Sequence, residues 1–290
     1  MNHSKRPLLL LAGEIVTGGK QDRIIAKDRI VPADAEPIDL SVFCIEPGRW
    51  TGSTTSFGAS AKAQANSFMV QPQVREQAMV SKDQGQVWDS VHGAITKMAV
   101  AAAPPMASQS VTVQANISAD ALGTTSYARA MQNSAVSTKV DEAAAQAIAG
   151  REQVMAKLRE EHAVGVVVAV RGEIIWADLF ASTDLLARYW TKLVRSYAAE
   201  SLADGDNHAT PSAADAQRFL DAPTAGTEMS EGDVGVYRYR ELNSGKTETF
   251  VLESLLPGTG YDVHISKLKV RGGERRVAKP LSEVPPQIFR

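Results

Sequence analysis

The first candidate site is a short polar segment, residues 18–23, that follows an apolar stretch near the start of the chain. Gly18 and Gly19 allow backbone amides to approach an anion, and Lys20 and Arg23 add positive charge beside them. The segment is not a Walker A loop, because Gly19 stands where that motif has its lysine. It therefore predicts either an anion-binding turn or a hairpin turn with solvated charges.

A second candidate lies at the end of the best predicted strand, in the tight turn Glu46-Pro47-Gly48-Arg49-Trp50. A carboxylate, a guanidinium and an indole on one turn can bind and orient a polar, planar ligand. The alternative is structural: Glu46 and Arg49 pair with each other, or with Asp22 and Arg23 across the sheet. The binding hypothesis requires this turn and residues 18–23 to meet at one rim of the sheet.

Two further acid–base candidates lie later in the chain. Asp178 follows Trp176 before a predicted helix and could act as a base, although a tryptophan there is more typical of a core contact. His264 faces the same side of its predicted strand as Asp262 and Ser266. At the rise of a strand the outer two lie about 13 Å apart, so the three do not form a catalytic triad. The alternative for His264 is an isolated strand histidine.

The remaining motifs and the charge balance disfavour several classes of function. The histidines are dispersed and no HExxH or CxxC spacing occurs, so we expect no metal site and no cofactor. The single cysteine, Cys44, lies in an apolar run and is interpreted as a buried structural thiol. Lys+Arg total 31 against 33 Asp+Glu, and the basic residues are scattered, which disfavours nucleic acid as a partner.

The apolar runs are too short to span a membrane, and none is typical of a signal peptide. None approaches the roughly 20 residues of a membrane span. The N-terminal apolar stretch, residues 8–12, is shorter than the apolar region of a signal peptide and is interpreted as a strand. We therefore expect a soluble, cytoplasmic protein.

The elements that must position these residues form an α+β pattern. Residues 7–50 indicate short strands, of which Leu40–Glu46 is the best. Three main helices are predicted near 84–100, 141–161 and 183–202, with Asp83, Thr138 or Asp141, and Ser182 or Thr183 as N-caps. Strands at 164–170 and 173–176, joined by a turn at Arg171-Gly172, precede the third helix. We expect a mixed or largely antiparallel sheet.

The chain is predicted to divide near residue 203. Residues 1–203 form the main domain, and 204–290 a β-rich extension packed on the same sheet, with a helix at 212–220 and strands at 234–239, 248–252 and 261–270. Residues 51–72 and 101–136 are rich in Ser, Thr, Ala and Gln and are interpreted as long loops, with one weak strand at 111–113.

Several stretches resemble one family. They are Pro7–Arg23, Val42–Trp50, Gln86–Trp88, Gly165–Phe180 with the helix through Tyr197, and Val263-His264. The chain resembles the ARPP family, named for its association with ADP-ribosylglycohydrolases and proteins of the rhodanese-phosphatase superfamily. The resemblance implies a link to ADP-ribose or related nucleotide metabolism, and further β-rich sequence before this block in other members. An incomplete sheet would leave an open edge and favour self-association.

Three functions remain open from the sequence. The first is a module that binds a nucleotide-like small molecule, with Arg23 and Arg49 on phosphate and Trp50 stacked on a base. The second is a hydrolase of an ADP-ribosyl-type bond, with Glu46 or Asp22 as general acid/base and His264 nearby. The third is a scaffold that forms a homo-oligomer through a sheet edge. The predicted ligand-binding residues are Lys20, Gln21, Asp22, Arg23, Glu46, Arg49 and Trp50.

Overall fold

The computed structural model describes residues 2–18, 21–47, 57–58, 69–103, 122–148, 151–202 and 209–270. Their strands are β1 (Leu8–Leu10), β2 (Ile15–Gly18), β3 (Arg23–Ile25), β4 (Arg29–Val31), β5 (Val42–Cys44), β6 (Phe57–Gly58), β7 (Gly165–Val170), β8 (Glu173–Phe180), β9 (Thr227–Asp233), β10 (Tyr237–Asn243), β11 (Thr247–Ser254) and β12 (Asp262–Lys269). The predicted strand 111–113 lies outside the described residues.

The largest sheet has six strands in the order β7-β8-β12-β11-β10-β9, and all neighbours are antiparallel. β12 lies between the β7–β8 hairpin and the strands β9–β11, so the last described strand occupies the interior of the sheet. The hairpin turn Arg171-Gly172 has φ values of 55° and 75°, as a two-residue turn between twisted strands requires. The predicted turn is confirmed.

Two small sheets lie in the N-terminal part. One has the order β5-β3-β2-β6 and the other pairs β1 with β4, again all antiparallel. The side chain of Gln84 closes the outer edge of β5: its Oε1 accepts from the N–H of Cys44 and its Nε2 donates to the carbonyl of Cys44, each at 2.9 Å. The carboxamide thus takes the place of a neighbouring strand.

The helices are more numerous than the three main ones predicted from the sequence. The described residues contain α1 (Pro72–Glu76), α2 (Gln84–Ala102), α3 (Tyr127–Gln132), α4 (Ser134–Ile148), α5 (Arg151–Glu160), α6 (Thr183–Ser201) and α7 (Ala213–Asp221), and a π-helical turn at Gln77–Ser81 extends α1. The α+β class with antiparallel sheets is confirmed; the number of helices was underestimated.

The predicted helix starts are partly confirmed. Asp83 accepts from the N–H of Gln86 at 2.9 Å at the start of α2. Ser182 caps α6, and Ser212 forms a capping box with Asp215 at the start of α7.

Two local assignments were wrong. The helix predicted at 141–161 is two helices, α4 and α5, and the first begins at Ser134, where Oδ1 of Asn133 accepts from the N–H of Ala135 at 3.0 Å. Asp178 does not lead into a helix but lies within β8, which continues four residues beyond Trp176. Trp176, Asp178 and Phe180 lie on one face of this strand and are all buried, so the segment continues as a strand to Phe180.

The core divides into three apolar clusters, and α6 packs against more than one of them. Its residues Leu186, Tyr189 and Leu193 face α5 and β8, while Ala198 and Ala199 join the cluster around α2 and α4. The third cluster covers the face of the large sheet that looks toward the N-terminal strands. Among the described helices, none combines the length and the apolar character that crossing a membrane requires.

Candidate functional site

The β3–β5 strand pair joins the two polar segments singled out in the sequence. Arg23 lies opposite Cys44 in the antiparallel register. Next to this pair, Nε2 of Gln21 donates to the carbonyl of Glu46 at 3.1 Å. The N–H of Asp22 donates to Oε2 of Glu46, also at 3.1 Å. The segments before β3 and after β5 are therefore in direct contact.

The start of α3 completes this arrangement. Oγ of Ser126 donates to Oδ2 of Asp22 at 3.3 Å and accepts from the N–H of Arg129 as the N-cap of the helix. We call Gln21, Asp22, Glu46 and Ser126 the rim cluster. Asp22 and Gln21 retain 8% and 4% exposure, whereas Glu46 and Ser126 retain 1%. Asp22 is therefore its most accessible carboxylate.

The thiol of Cys44, beside the rim cluster, is affected by two opposite charges, those of Arg23 and Glu46. Burial raises the pKa of this thiol, the positive charge of Arg23 lowers it, and the carboxylate of Glu46 raises it again. The net direction is upward, so the thiol stays protonated near neutral pH. Cys44 is half-buried rather than enclosed, and its protonated state fits the structural role predicted for it.

Three of the predicted ligand-binding residues, Lys20, Arg49 and Trp50, lie outside the described residues. Of the others, the structure brings Gln21, Asp22, Arg23 and Glu46 together at the β3–β5 pair.

His264 belongs to a different polar cluster, beneath the inner face of the large sheet. Its Nδ1 lies 2.6 Å from Oδ2 of Asp28, and its Nε2 lies 3.2 Å from Oδ1 of Asp178. The first contact is a hydrogen bond; the second is a close ionic contact outside hydrogen-bond geometry. Oδ1 of Asp28 also accepts from the N–H of Ala12 at 2.7 Å.

Asp178 is the centre of this second cluster. It receives two bonds from Arg75, Nη1 to Oδ2 at 3.0 Å and Nη2 to Oδ1 at 3.2 Å, the fork geometry that favours arginine over lysine. Oγ of Ser266 donates to its Oδ1 at 2.7 Å, and the hydroxyl of Tyr197 donates to its Oδ2. The guanidinium of Arg75 also lies over the ring of Trp176, 4.5 Å from its centre.

We call Asp28, Arg75, Asp178 and His264 the buried ion cluster. Arg75, Asp178 and His264 have no exposed surface, and Asp28 retains 1%. Two carboxylates and one guanidinium leave one negative charge, which a protonated His264 balances. Burial opposes that proton, but Asp28 and Asp178 outweigh burial and raise the pKa of His264 to about 9.

The same balance fixes the charge of Asp178. Burial alone would raise its pKa, but Arg75 and then His264 hold the pKa of Asp178 well below its ordinary value. An imidazolium with carboxylates at both nitrogens has no atom that can accept a proton. Its contacts are with Asp28 and Asp178, not with Glu46 or Asp22. We therefore assign His264 to the stability of the fold.

Sequence reasoning did not find Asp28 or Arg75. One signal was present: Asp178 is two residues from both Trp176 and Phe180, so in a strand it faces the core with them and needs a cation there. Nothing local identified that cation as Arg75, which is 103 residues away.

Within the described residues, no three His, Cys, Asp or Glu side chains are grouped as a metal site. The model of the ARG and Rhodanese-Phosphatase-superfamily-associated Protein domain, ARPP-1, matches residues 1–268, which confirms the resemblance. No curated protein and no solved structure matches the chain.

Proposed function

The chain belongs to the ARPP-1 family, and we propose that it is a non-catalytic module that binds a nucleotide-like ligand of the ADP-ribose type beside the rim cluster. The family name records an association with ADP-ribosyl and rhodanese-phosphatase systems. It suggests the class of ligand, while the argument for the place of binding comes from the rim cluster.

The observation that carries the proposal is the contact of Gln21 and Asp22 with Glu46. Lys20 directly precedes Gln21 in the sequence. Arg49 is three residues after Glu46, so the chain from Glu46 to Arg49 spans at most about 11 Å. Two cations that are far apart in the sequence are thus tethered to neighbouring points of the backbone. A phosphate held between them is the simplest use of this arrangement.

The charges suit a ligand that carries both phosphate and hydroxyl groups. Residues 20–23 and 46–49 contain three cations and two carboxylates, a net charge of +1. Lys20, Arg23 and Arg49 would bind phosphate oxygens, and Asp22 would accept from a ribose hydroxyl, as acidic residues do in dinucleotide sites. Trp50 would stack on the base.

The second candidate function is a hydrolase that acts on an ADP-ribosyl-type bond. It would use Glu46 or Asp22 as general acid/base, and the observation in its favour is the hydrogen bond from the backbone N–H of Asp22 to the carboxylate of Glu46. His264, its third predicted member, is enclosed in the buried ion cluster. The binding module needs no proton transfer and depends only on residues at the rim.

Thermal unfolding with and without ADP-ribose, NAD and AMP tests the proposal. A ligand at 100 times its Kd stabilises the folded state by about 2.7 kcal/mol, which for a chain of this size raises Tm by about 5 °C. Asp22→Asn and Arg49→Ala should reduce the shift. Arg218→Ala, which removes an exposed arginine that pairs with Asp215 on α7, should retain it.

Two outcomes would overturn the binding module. One is the absence of any shift with all three nucleotides in folded wild-type protein. The other is a full shift in both Asp22→Asn and Arg49→Ala. Turnover of an ADP-ribosylated substrate that is lost in Glu46→Gln would instead establish the hydrolase.

A further inference from the structure

β7 ends the large sheet with an open row of backbone groups. The N–H of Phe180 donates to the carbonyl of Val164, and the register with β8 continues from there. Since hydrogen-bonded pairs alternate along an antiparallel ladder, the backbone groups of Gly165, Val167 and Ala169 point away from β8. Among the described residues, no backbone partner bonds to these three.

No residue of β7 is of a type that would prevent a further strand from pairing with its free edge. Its six residues, Gly-Val-Val-Val-Ala-Val, include no charge and no proline, the two features that commonly protect an edge strand. The irregularity in its pairing with β8 falls between Val168 and Ala169, near the turn, and leaves the first four residues in regular register.

β9, the opposite end of the same sheet, is protected. It carries Glu228, Glu231 and Asp233, so a copy of itself alongside would be repelled. Glu231 is 2.5 Å from Nζ of Lys27, and Asp233 is 2.9 Å from Nη2 of Arg29. These pairs also hold β9 against the N-terminal part. The two edges therefore differ: β9 carries acidic side chains paired with Lys27 and Arg29, whereas β7 is uncharged and has no backbone partner beyond β8 among the described residues.

We propose that β7 pairs with β7 of a second copy of this chain, antiparallel, to form a dimer with a continuous twelve-stranded sheet. A two-fold axis at Val167 places the outward-facing groups of both strands in register: Val167 opposite its equivalent, and Gly165 opposite Ala169. This register brings no like charges together within the strand. Every donor in one copy meets an acceptor in the other, as an isologous interface requires.

The charges that flank β7 favour a second copy of the chain as its partner. In this register Arg171, in the hairpin turn, lies toward residue 163 of the other copy, two residues along the chain from Glu161. Arg171 is exposed; 57% of the side chain of Glu161 is exposed, and its partner within the chain, Lys157, is a distant 3.8 Å away. A basic residue after the strand and an acidic residue before it are complementary when the strand pairs with itself in reverse. The dimer does not depend on any ligand.

Sedimentation equilibrium of the full chain over about 1–200 μM measures the association. We expect a species of twice the monomer mass of 31.1 kDa. Val167 is partly exposed and lies at the axis, so Val167→Lys places two positive charges side by side and should weaken the dimer at least tenfold. Met229→Lys on β9, at a side chain 48% exposed, is the matched control and should leave the mass unchanged.

A charge-swap mixture separates dimer loss from misfolding. Val167→Glu alone should also be monomeric, and an equimolar mixture of Val167→Lys and Val167→Glu should recover the dimer. The proposal is overturned if wild-type protein is monomeric throughout the range, if Val167→Lys remains dimeric, or if the mixture stays monomeric while circular dichroism shows both variants folded.

Discussion

Nδ1 of His264 lies 2.6 Å from Oδ2 of Asp28, although 236 residues separate the two in the sequence. Asp28 belongs to the segment between β3 and β4, and His264 to the interior strand of the large sheet. Lys27 and Arg29, on either side of Asp28, form ion pairs with β9. Three consecutive residues thus fasten the N-terminal strands to the large sheet.

The first prediction concerns alkaline pH. The pKa of His264 is about 9 in the folded protein, against 6.5 for an ordinary histidine. Below pH 6.5 both states are protonated and its contribution is complete; between pH 6.5 and 9 only the folded state keeps the proton, so the contribution falls. We expect the free energy of unfolding to drop by about 3 kcal/mol across this window, measured from urea midpoints.

Substitution of the histidine provides the control for this pH dependence. His264→Gln should be less stable at pH 6 and should lose most of the slope between pH 6.5 and 9. His92→Gln, at an exposed position on α2, should keep it. An unchanged slope in His264→Gln would show that other groups cause the pH dependence.

The second prediction concerns the Arg75–Asp178 pair. Arg75→Met leaves a buried carboxylate without its bidentate partner, and we expect a loss of about 3–5 kcal/mol in urea unfolding. Arg75→Met with Asp178→Leu should lose less than the sum of the single changes, since neither charge remains unbalanced. Lys139→Met, in an exposed pair with Glu142, should change stability by less than about 1 kcal/mol. Additive effects at positions 75 and 178 would contradict the coupling.

The third prediction concerns Gly13, which has a φ of 88° and lies against Arg75. A Cβ added there would be 2.8 Å from Cδ of Arg75 and closer still to Cγ. Gly13→Ala therefore adds steric overlap to the backbone strain of a positive φ. Gly245 has a φ of 80° but no atom within 4 Å of an added Cβ. We expect Gly13→Ala to lose about 2 kcal/mol more than Gly245→Ala in thermal unfolding; equal losses would leave backbone strain as the only cause.

The fourth prediction concerns the reactivity of the single cysteine, Cys44, which lies beside the rim cluster. Since burial raises the pKa of Cys44, its reaction with a disulfide reagent at pH 8 should be at least about tenfold slower than in urea-unfolded protein. Arg23→Ala should slow it further, because Arg23 lowers the pKa of this thiol. A faster reaction in Arg23→Ala would mean that the guanidinium shields the thiol rather than acting through charge.

Elements with strong local patterns could be predicted from the sequence. β7, β8 and α6 combine β-branched runs, a glycine turn and an amphipathic stripe, and all three are present. Residues 122–136 were wrongly interpreted as part of a long loop, because the side chains that α3 and the start of α4 bury include Ala128 and Ala130. Such small side chains give a weak periodic pattern even when they are fully enclosed.

The two polar clusters differ in predictability for a similar reason. Contact between residues 21–23 and Glu46 follows from two neighbouring strands, so the hypothesis could be framed in advance. The buried ion cluster draws Asp28, Arg75, Asp178 and His264 from four distant segments. Its existence depends on tertiary packing, which no single stretch of sequence records.

The position of β12 has a consequence for protein synthesis. A growing chain exposes the free edges of β8 and β11 until residues 262–269 leave the ribosome, since β12 fills the gap between them. Until then Asp28 and Asp178 lack their shared partner His264, which β12 carries. Nascent chains that stop before about residue 260 should therefore stay sensitive to protease and bind chaperones, and native structure should form only once β12 is released.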